Sequence, residues 1–261
     1  MKVIKGNPIE FDMIKRGLPL FRMTLLSFYY DLKIRILWGV ALLPVVASVL
    51  IRLLEEVPRS ITYLIRESFS PIALTVFLNL IVVWFSLVIG SSLIADEKEN
   101  QTFAFLLMRP ISREEIIFHK FLAYITAMAI FSLVPVFGTY IVLFSYNSSW
   151  LVYNLDLAFG FWALIILGHI AFGAIFLLTG VLFRRPLIIG LFIALFWNYL
   201  PILLGEVAEQ FTLTYHLENL FNKVFGLFPS TGTLVSFAFI GGLTLISVLG
   251  SMISFKGQEI L

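Results

Sequence analysis

The chain has 261 residues, of which 60% are hydrophobic and 13% charged, with a formal net charge of +2; an ordinary soluble domain carries roughly 25% charged residues. With 16% aromatics and a mean hydropathy of +0.99, no polar shell can cover the apolar side chains, so a soluble globular fold is excluded and lipid is the expected solvent. The lack of cysteine excludes a disulfide framework and thiolate metal sites, and leaves the redox compartment unread.

In chain order, the opening MKVIKGNPIEFDMIKRG lacks the charged, apolar, small order of a secretion signal, so the first span is expected to be retained. Residues 9–35 mix Phe11, Ile14, Leu18, Phe21, Leu25 and Phe28 with Lys15, Arg16, Arg22 and Lys33. That is too charged to cross a bilayer, and predicts an N-terminal interfacial helix broken near Gly17 and Pro19. A bilayer core takes roughly 20 apolar residues per helix, and such runs lie at 36–54, 72–94, 121–144, 157–182, 187–204 and 231–255. Ser70-Pro71 offers a cap and a first-turn proline to the second run, and Asp156 a cap to the fourth. Pro44 and Pro135 are placed to kink the first and third. Within the outer segment 205–229, Leu217, Leu220, Phe221, Val224 and Phe228 recur at helical spacing, with Glu218, Asn219, Asn222 and Lys223 elsewhere on the wheel. This is either an amphipathic helix in the outer interface or a connector packed on the bundle. The glycines of 240–250 predict close helix approach.

Orientation follows from the basic residues, because cytoplasmic loops near the spans hold the excess of lysine and arginine. With the N-terminus inside, only Arg52, Arg59, Arg66 and Lys223 of the 18 fall outside. Both termini and the loop after the second run are therefore expected in the cytoplasm, in a multi-pass protein of the plasma membrane.

That loop, residues 95–120, is too long for a turn, since connections in bundles take roughly 2–8 residues. It holds its own apolar run, 102–108, stopped by Arg109-Pro110 and capped by Asn100 or Thr102. Phe103, Phe105, Leu106 and Leu107 face the cytoplasm on a segment too short to span, so a partner should cover them; periodicity alone equally admits a helix lying on headgroups. Ser112-Arg113-Glu114-Glu115 is a capping box, with Ile111 and Ile116 placed as its hydrophobic staple. A helix starting at Arg113 then runs through His119 and Lys120 into the third span, giving a stiff lever from loop to membrane.

The pattern Glu97, Lys98, Glu99, Thr102, Leu106, Leu107, Pro110, Ile111, Ser112, Arg113, Glu115, Ile116 and Lys120 resembles the loop of type-2 ATP-binding cassette exporter permeases. The family usually has glycine before the threonine and an acidic residue two after it, where this chain has Gln101 and Ala104. The resemblance implies an all-α polytopic membrane protein of six transmembrane helices, with an interfacial helix, a cytoplasmic coupling helix and an outer amphipathic segment, all in a single permease domain spanning 1–261. It also implies a two-plus-two assembly, in which cytoplasmic ATPase subunits receive the coupling helices and a second permease copy or homologue completes the pathway. The coupling residues would be Glu97, Glu99, Thr102, Phe103, Phe105, Leu106, Leu107, Arg109, Pro110, Ser112, Arg113, Glu115 and Lys120. No phosphate-binding G-x-x-x-x-G-K-[ST] occurs, so ATP and magnesium belong on another chain and this one is not an enzyme.

No H-E-x-x-H, no G-x-S-x-G and no paired intramembrane carboxylates occur, so no metal or catalytic site is expected, and nothing suggests nucleic acid. Asn79, His169 and Asn198 are polar residues inside spans; each is either a functional site or an interhelical hydrogen bond. Two other functions remain. An ion-coupled secondary transporter should show mid-membrane charges and broken helices in two related halves. A membrane anchor or assembly subunit would lack an exposed coupling helix. The substrate is not legible.

Overall fold

The computed structural model describes residues 8–54, 57–99, 111–227 and 232–257, with the side chains of 8–16, 99, 198–204 and 206 outside the description. Every regular element among the described residues is a helix: α1 (Pro8–Tyr30), α2 (Leu32–Ala41), α3 (Leu43–Leu54), α4 (Ile61–Lys98), α5 (Arg113–Phe144), α6 (Ser148–Tyr153), α7 (Leu155–Leu182), α8 (Pro186–Leu204), α9 (Glu206–Glu209), α10 (Leu213–Phe225) and α11 (Thr233–Lys256). Five stretches are long and apolar enough to cross a membrane: α2 with α3, α4, α5, α7 and α11. They coincide with the runs expected at 36–54, 72–94, 121–144, 157–182 and 231–255. The remaining run, 187–204, falls on α8, which has 19 residues and is apolar over its described part, Pro186–Trp197.

Several local expectations are corrected. Helix α1 is not broken at Gly17 and Pro19; it continues through Pro19 to Tyr30 and is interrupted at Asp31, whose carboxylate caps α2 by accepting Lys33 N–H at 2.8 Å. Gly17 is a contact site: a Cβ there would fall on the His119 ring of α5. Helix α4 begins at Ile61 on the cap Ser60, whose Oγ accepts Tyr63 N–H at 3.2 Å, so Ser70-Pro71 lies inside the helix. Arg66 and Glu67 interrupt the hydropathy there, yet Leu64, Ile65 and Phe69 on the same turns are buried. Asp156 sits in the first turn of α7 and Asn154 occupies the cap position. Pro44 separates α2 from α3 at Leu42, whereas Pro135 is accommodated inside α5.

Helix α4 is wound with π turns over Leu64–Phe69, Ile72–Val82 and Ser86–Gly90. Its polar side chains follow the wider offset, with Ser70 Oγ donating to Ile65 O at 2.7 Å and Asn79 Nδ2 to Leu74 O at 3.0 Å. Its backbone runs close to α7. A Cβ on Gly180 would meet the Ser91 carbonyl oxygen, and one on Gly90 would lie 3.2 Å from Gly173 O. Close approach therefore belongs to this pair, and not to the glycines of 240–250: Gly241 and Gly242 have open space beside them, and Gly250 makes ordinary contact with Leu178.

Two apolar clusters divide the bundle. The larger gathers Phe69, Phe77, Phe144, Phe161, Phe221 and Phe225 with aliphatic residues of α4, α5 and α7. Its rings meet edge to face, Phe69–Phe161 and Phe77–Phe161 both at 5.2 Å. The other joins Leu20 of α1, Ile94 of α4, Ile116, Ile117 and Tyr124 of α5, Leu177 of α7 and Phe255 of α11. The amphipathic α10 is a connector packed on the bundle, burying Leu213, Leu217, Leu220 and Phe221 in the larger cluster.

Candidate functional site: the loop flanks and the polar interior

The run 102–108, with Thr102, Phe103, Phe105, Leu106, Leu107, Arg109 and Pro110, lies outside the described residues, as do Gln101 and Ala104. The structure describes what holds both of its flanks. On the exit side the capping box forms as its sequence requires: Ser112 Oγ accepts Glu115 N–H at 3.2 Å while Ser112 N–H donates to Glu115 Oε2 at 2.8 Å. Ile116 is buried and Ile111 packs on the same cluster. Arg113 donates to the final carbonyls of α11, Phe255 O at 3.4 Å and Lys256 O at 3.1 Å, and Glu114 pairs with Lys256 at 3.0 Å. His119 Nδ1 sits 2.8 Å from Glu115 O.

On the entry side Lys98 Nζ donates to Val181 O at 2.7 Å, in the last turn of α7. Glu97 receives Lys120 Nζ, which also donates to Leu93 O at 2.7 Å, so the two flanks are joined by a nearly buried ion pair. Asp96 takes Lys33 of α2 at 3.3 Å. Helix α4 ends in this set, and the side chain of the adjoining Glu99 is not described.

A shared device operates here. The last carbonyls of a helix carry the negative end of its dipole and lack intrahelical donors, so a cation there is stabilising. Lys98 of α4 serves α7, Arg113 of α5 serves α11, and Arg52 of α3 serves α5 by donating to Val142 O at 2.6 Å and to Ser145. Arg52 also lies over the Tyr146 ring at 4.8 Å. In the sequence Arg52 reads as an outer positive charge, and its position near the end of the first run, level with the end of the third, is the signal for this bond.

The polar residues of the spans fall into two places. His169 Nδ1 of α7 lies within hydrogen-bond distance, 3.0 Å, of Ser86 Oγ of α4, and the Tyr124 hydroxyl of α5 reaches both Ser86 Oγ at 2.9 Å and His169 O at 3.2 Å. Sequence reasoning missed Ser86 and Tyr124, because a lone hydroxyl in an apolar run looks neutral until its partner helix is known. Asn79 bonds within its own helix and also to Glu218 of α10. Burial, then the neighbouring Glu209, push the Glu218 carboxyl up, with the Asn79 bond opposing. His216 of α10 donates from Nε2 to Gln210 O at 2.9 Å and accepts at Nδ1 from Ser236 of α11 at 3.1 Å; burial holds it below the usual imidazole range. The side chain of Asn198 lies outside the described residues. Among the described residues no group of histidine and carboxylate side chains is arranged to hold a metal ion.

No curated protein matches the chain. A family model described as ABC-2 family transporter protein matches residues 12–259, nearly the whole sequence and both flanks of the loop. With apolar helices long enough to cross a membrane and a loop whose flanks carry the residues of the family resemblance, the chain belongs to the ABC-2 family and is a permease of that type.

Proposed function

We propose that this permease is the membrane-spanning subunit of an ATP-binding cassette exporter in the plasma membrane, with six spans and both termini in the cytoplasm. Separate ATPase subunits bind ATP and magnesium, and two permeases, identical or homologous, enclose the path along which substrate moves outward. The segment 102–108 is the coupling helix. The observation that carries this reading is the bracing of its flanks: Lys98 ties the entry to α7, Arg113 ties the exit to α11, and Lys120 with Glu97 ties one to the other. A load applied to the loop reaches four long helices at once. That suits force transmission better than a loop resting on headgroups.

The test uses the apolar anchors and the charged rim separately. Leu106→Asp should leave the permease folded but weaken ATPase capture by about thirtyfold or more, from about 2 kcal/mol for a buried anchor. Glu99→Gln should mainly change the rate and salt dependence of assembly. Pull-down of candidate ATP-binding cassette ATPases from the same source, with a thermal-stability check on each variant, reads both. Undiminished capture and stimulated hydrolysis in Leu106→Asp would return the loop to the headgroup reading.

A further inference from the structure

Where α1 meets the start of α2 and the end of α4 there is a crevice of about 420 Å³, within the roughly 300–1,000 Å³ of small-molecule sites. Its floor is apolar, with Leu20, Phe28, Ile34, Ile89 and Leu93 all buried. Its rim is charged, with Asp31, Lys33, Asp96, Glu97 and Lys120. These charges do not cancel. Lys120 is matched by Glu97 and Lys33 by Asp96. Asp31 accepts the Lys33 main-chain N–H, and among the described residues no cation pairs with its carboxylate. The rim therefore presents one surplus negative charge beside an exposed ammonium, since Lys33 keeps 60% of its side chain in contact with solvent.

The lining of the crevice includes the exposed Met23 of α1, a helix on which Leu18, Leu26, Tyr29 and Tyr30 are exposed as well. An apolar floor under a rim of paired opposite charges, at the edge of an interfacial helix, matches one chemical class: an amphiphile with a zwitterionic head. We propose that this crevice binds the headgroup and first methylenes of a phospholipid bearing a primary ammonium. The ammonium would meet Asp31 and Asp96, the phosphate Lys33, and the floor would take the start of the chains. The volume holds a head and not two full chains, so the tails run out along α1 into the bilayer. The choice of a lipid rests on the interfacial position read for α1 from its sequence, and the choice of leaflet on the orientation proposed above.

The decisive variant is Asp31→Asn. Asparagine caps a helix as well as aspartate does, so α2 keeps its start while the rim loses its surplus charge. The purified permease in mild detergent is titrated with phosphatidylethanolamine, phosphatidylglycerol and soluble O-phosphoethanolamine, and bound species are counted by native mass spectrometry, with a thermal scan of each variant. Phosphatidylethanolamine should bind the wild type more tightly than phosphatidylglycerol. It should weaken by about tenfold or more in Asp31→Asn, the loss expected for a charge-assisted hydrogen bond, at unchanged thermal stability. Equal binding of the two lipids, or undiminished binding to Asp31→Asn, would overturn the site. Capture of O-phosphoethanolamine as tight as that of the diacyl lipid would overturn the assignment to a lipid.

Discussion

Replacing Lys120 with methionine removes the cation that joins the two flanks of the loop while keeping a side chain of similar length. The lysine side chain is only 5% exposed and has two acceptors, Leu93 O and the Glu97 carboxylate. A hydrogen bond to a charged group contributes about 1.5–3 kcal/mol, and stranding a fully buried partner costs about 3–5 kcal/mol. Glu97 is 25% exposed, so water relieves part of the second penalty and the expected cost is about 3 kcal/mol. At roughly 2–4 °C per kcal/mol for a chain of this size, the midpoint should fall by about 6–12 °C. The assay is a double-mutant cycle of thermal unfolding in detergent with Lys120→Met, Glu97→Gln and both. The double variant should be more stable than Lys120→Met alone, because it leaves no charge behind. Full additivity of the two single effects, or a Lys120→Met midpoint indistinguishable from wild type, would refute the claim that this pair braces the loop.

Gly180→Ala should lower stability by about 1–3 kcal/mol, the usual cost of overpacking, because the new methyl meets the backbone oxygen of Ser91; Gly242→Ala, with open space beside it in a helix interior, is the control in the same thermal scan and should hold or raise the midpoint. Because the fold raises the Glu218 pKa, the native state holds the proton more tightly than the unfolded chain, and stability falls as pH climbs from the ordinary carboxylate range through the raised value. Glu218→Gln should therefore match wild type near pH 4 and exceed it in melting temperature near pH 7; a gap independent of pH would contradict this. Single cysteines at Ser148 and Gln101 in this cysteine-free chain test the orientation: Ser148 should label from outside and Gln101 should not.

Much of the helical layout was legible because a bilayer-length apolar run leaves the backbone only one way to satisfy its hydrogen bonds. The capping box at Ser112 was legible for a similar reason, since its four residues satisfy one another without reference to the rest of the chain. What could not be read depends on partners distant in sequence. Arg66 and Glu67 hid the first turns of α4, because hydropathy averages over all faces of a helix while burial selects one. Gly17 looked like a breaker until His119, far along the chain, was placed on it. Of the three polar residues singled out inside spans, His169 meets two partners on different helices, whereas Asn79 bonds to its own helix and to α10. The choice between those outcomes is made by helix rotation, which composition does not encode. The family-type residues at the loop split along the same line: the flanks are explained by their bonds, while the apolar run is expected to find its contacts on another chain.

The cations at the helix ends have a mechanical consequence. Each is anchored on one helix and bonded to the terminus of another, so α3 is tied to α5, α5 to α11, α4 to α7, and Lys120 closes the gap between α4 and α5. Five helices thus form a truss whose end joints sit at helix termini, where a helix has the greatest leverage. Sliding any member along its neighbour must first pull a charged donor off a carbonyl. Tilting the whole frame breaks none of these joints. Motion entering at the loop should therefore leave as rotation of the frame, with the compliant seam at α8, for which the described residues show no such joint, or at the boundary with another subunit.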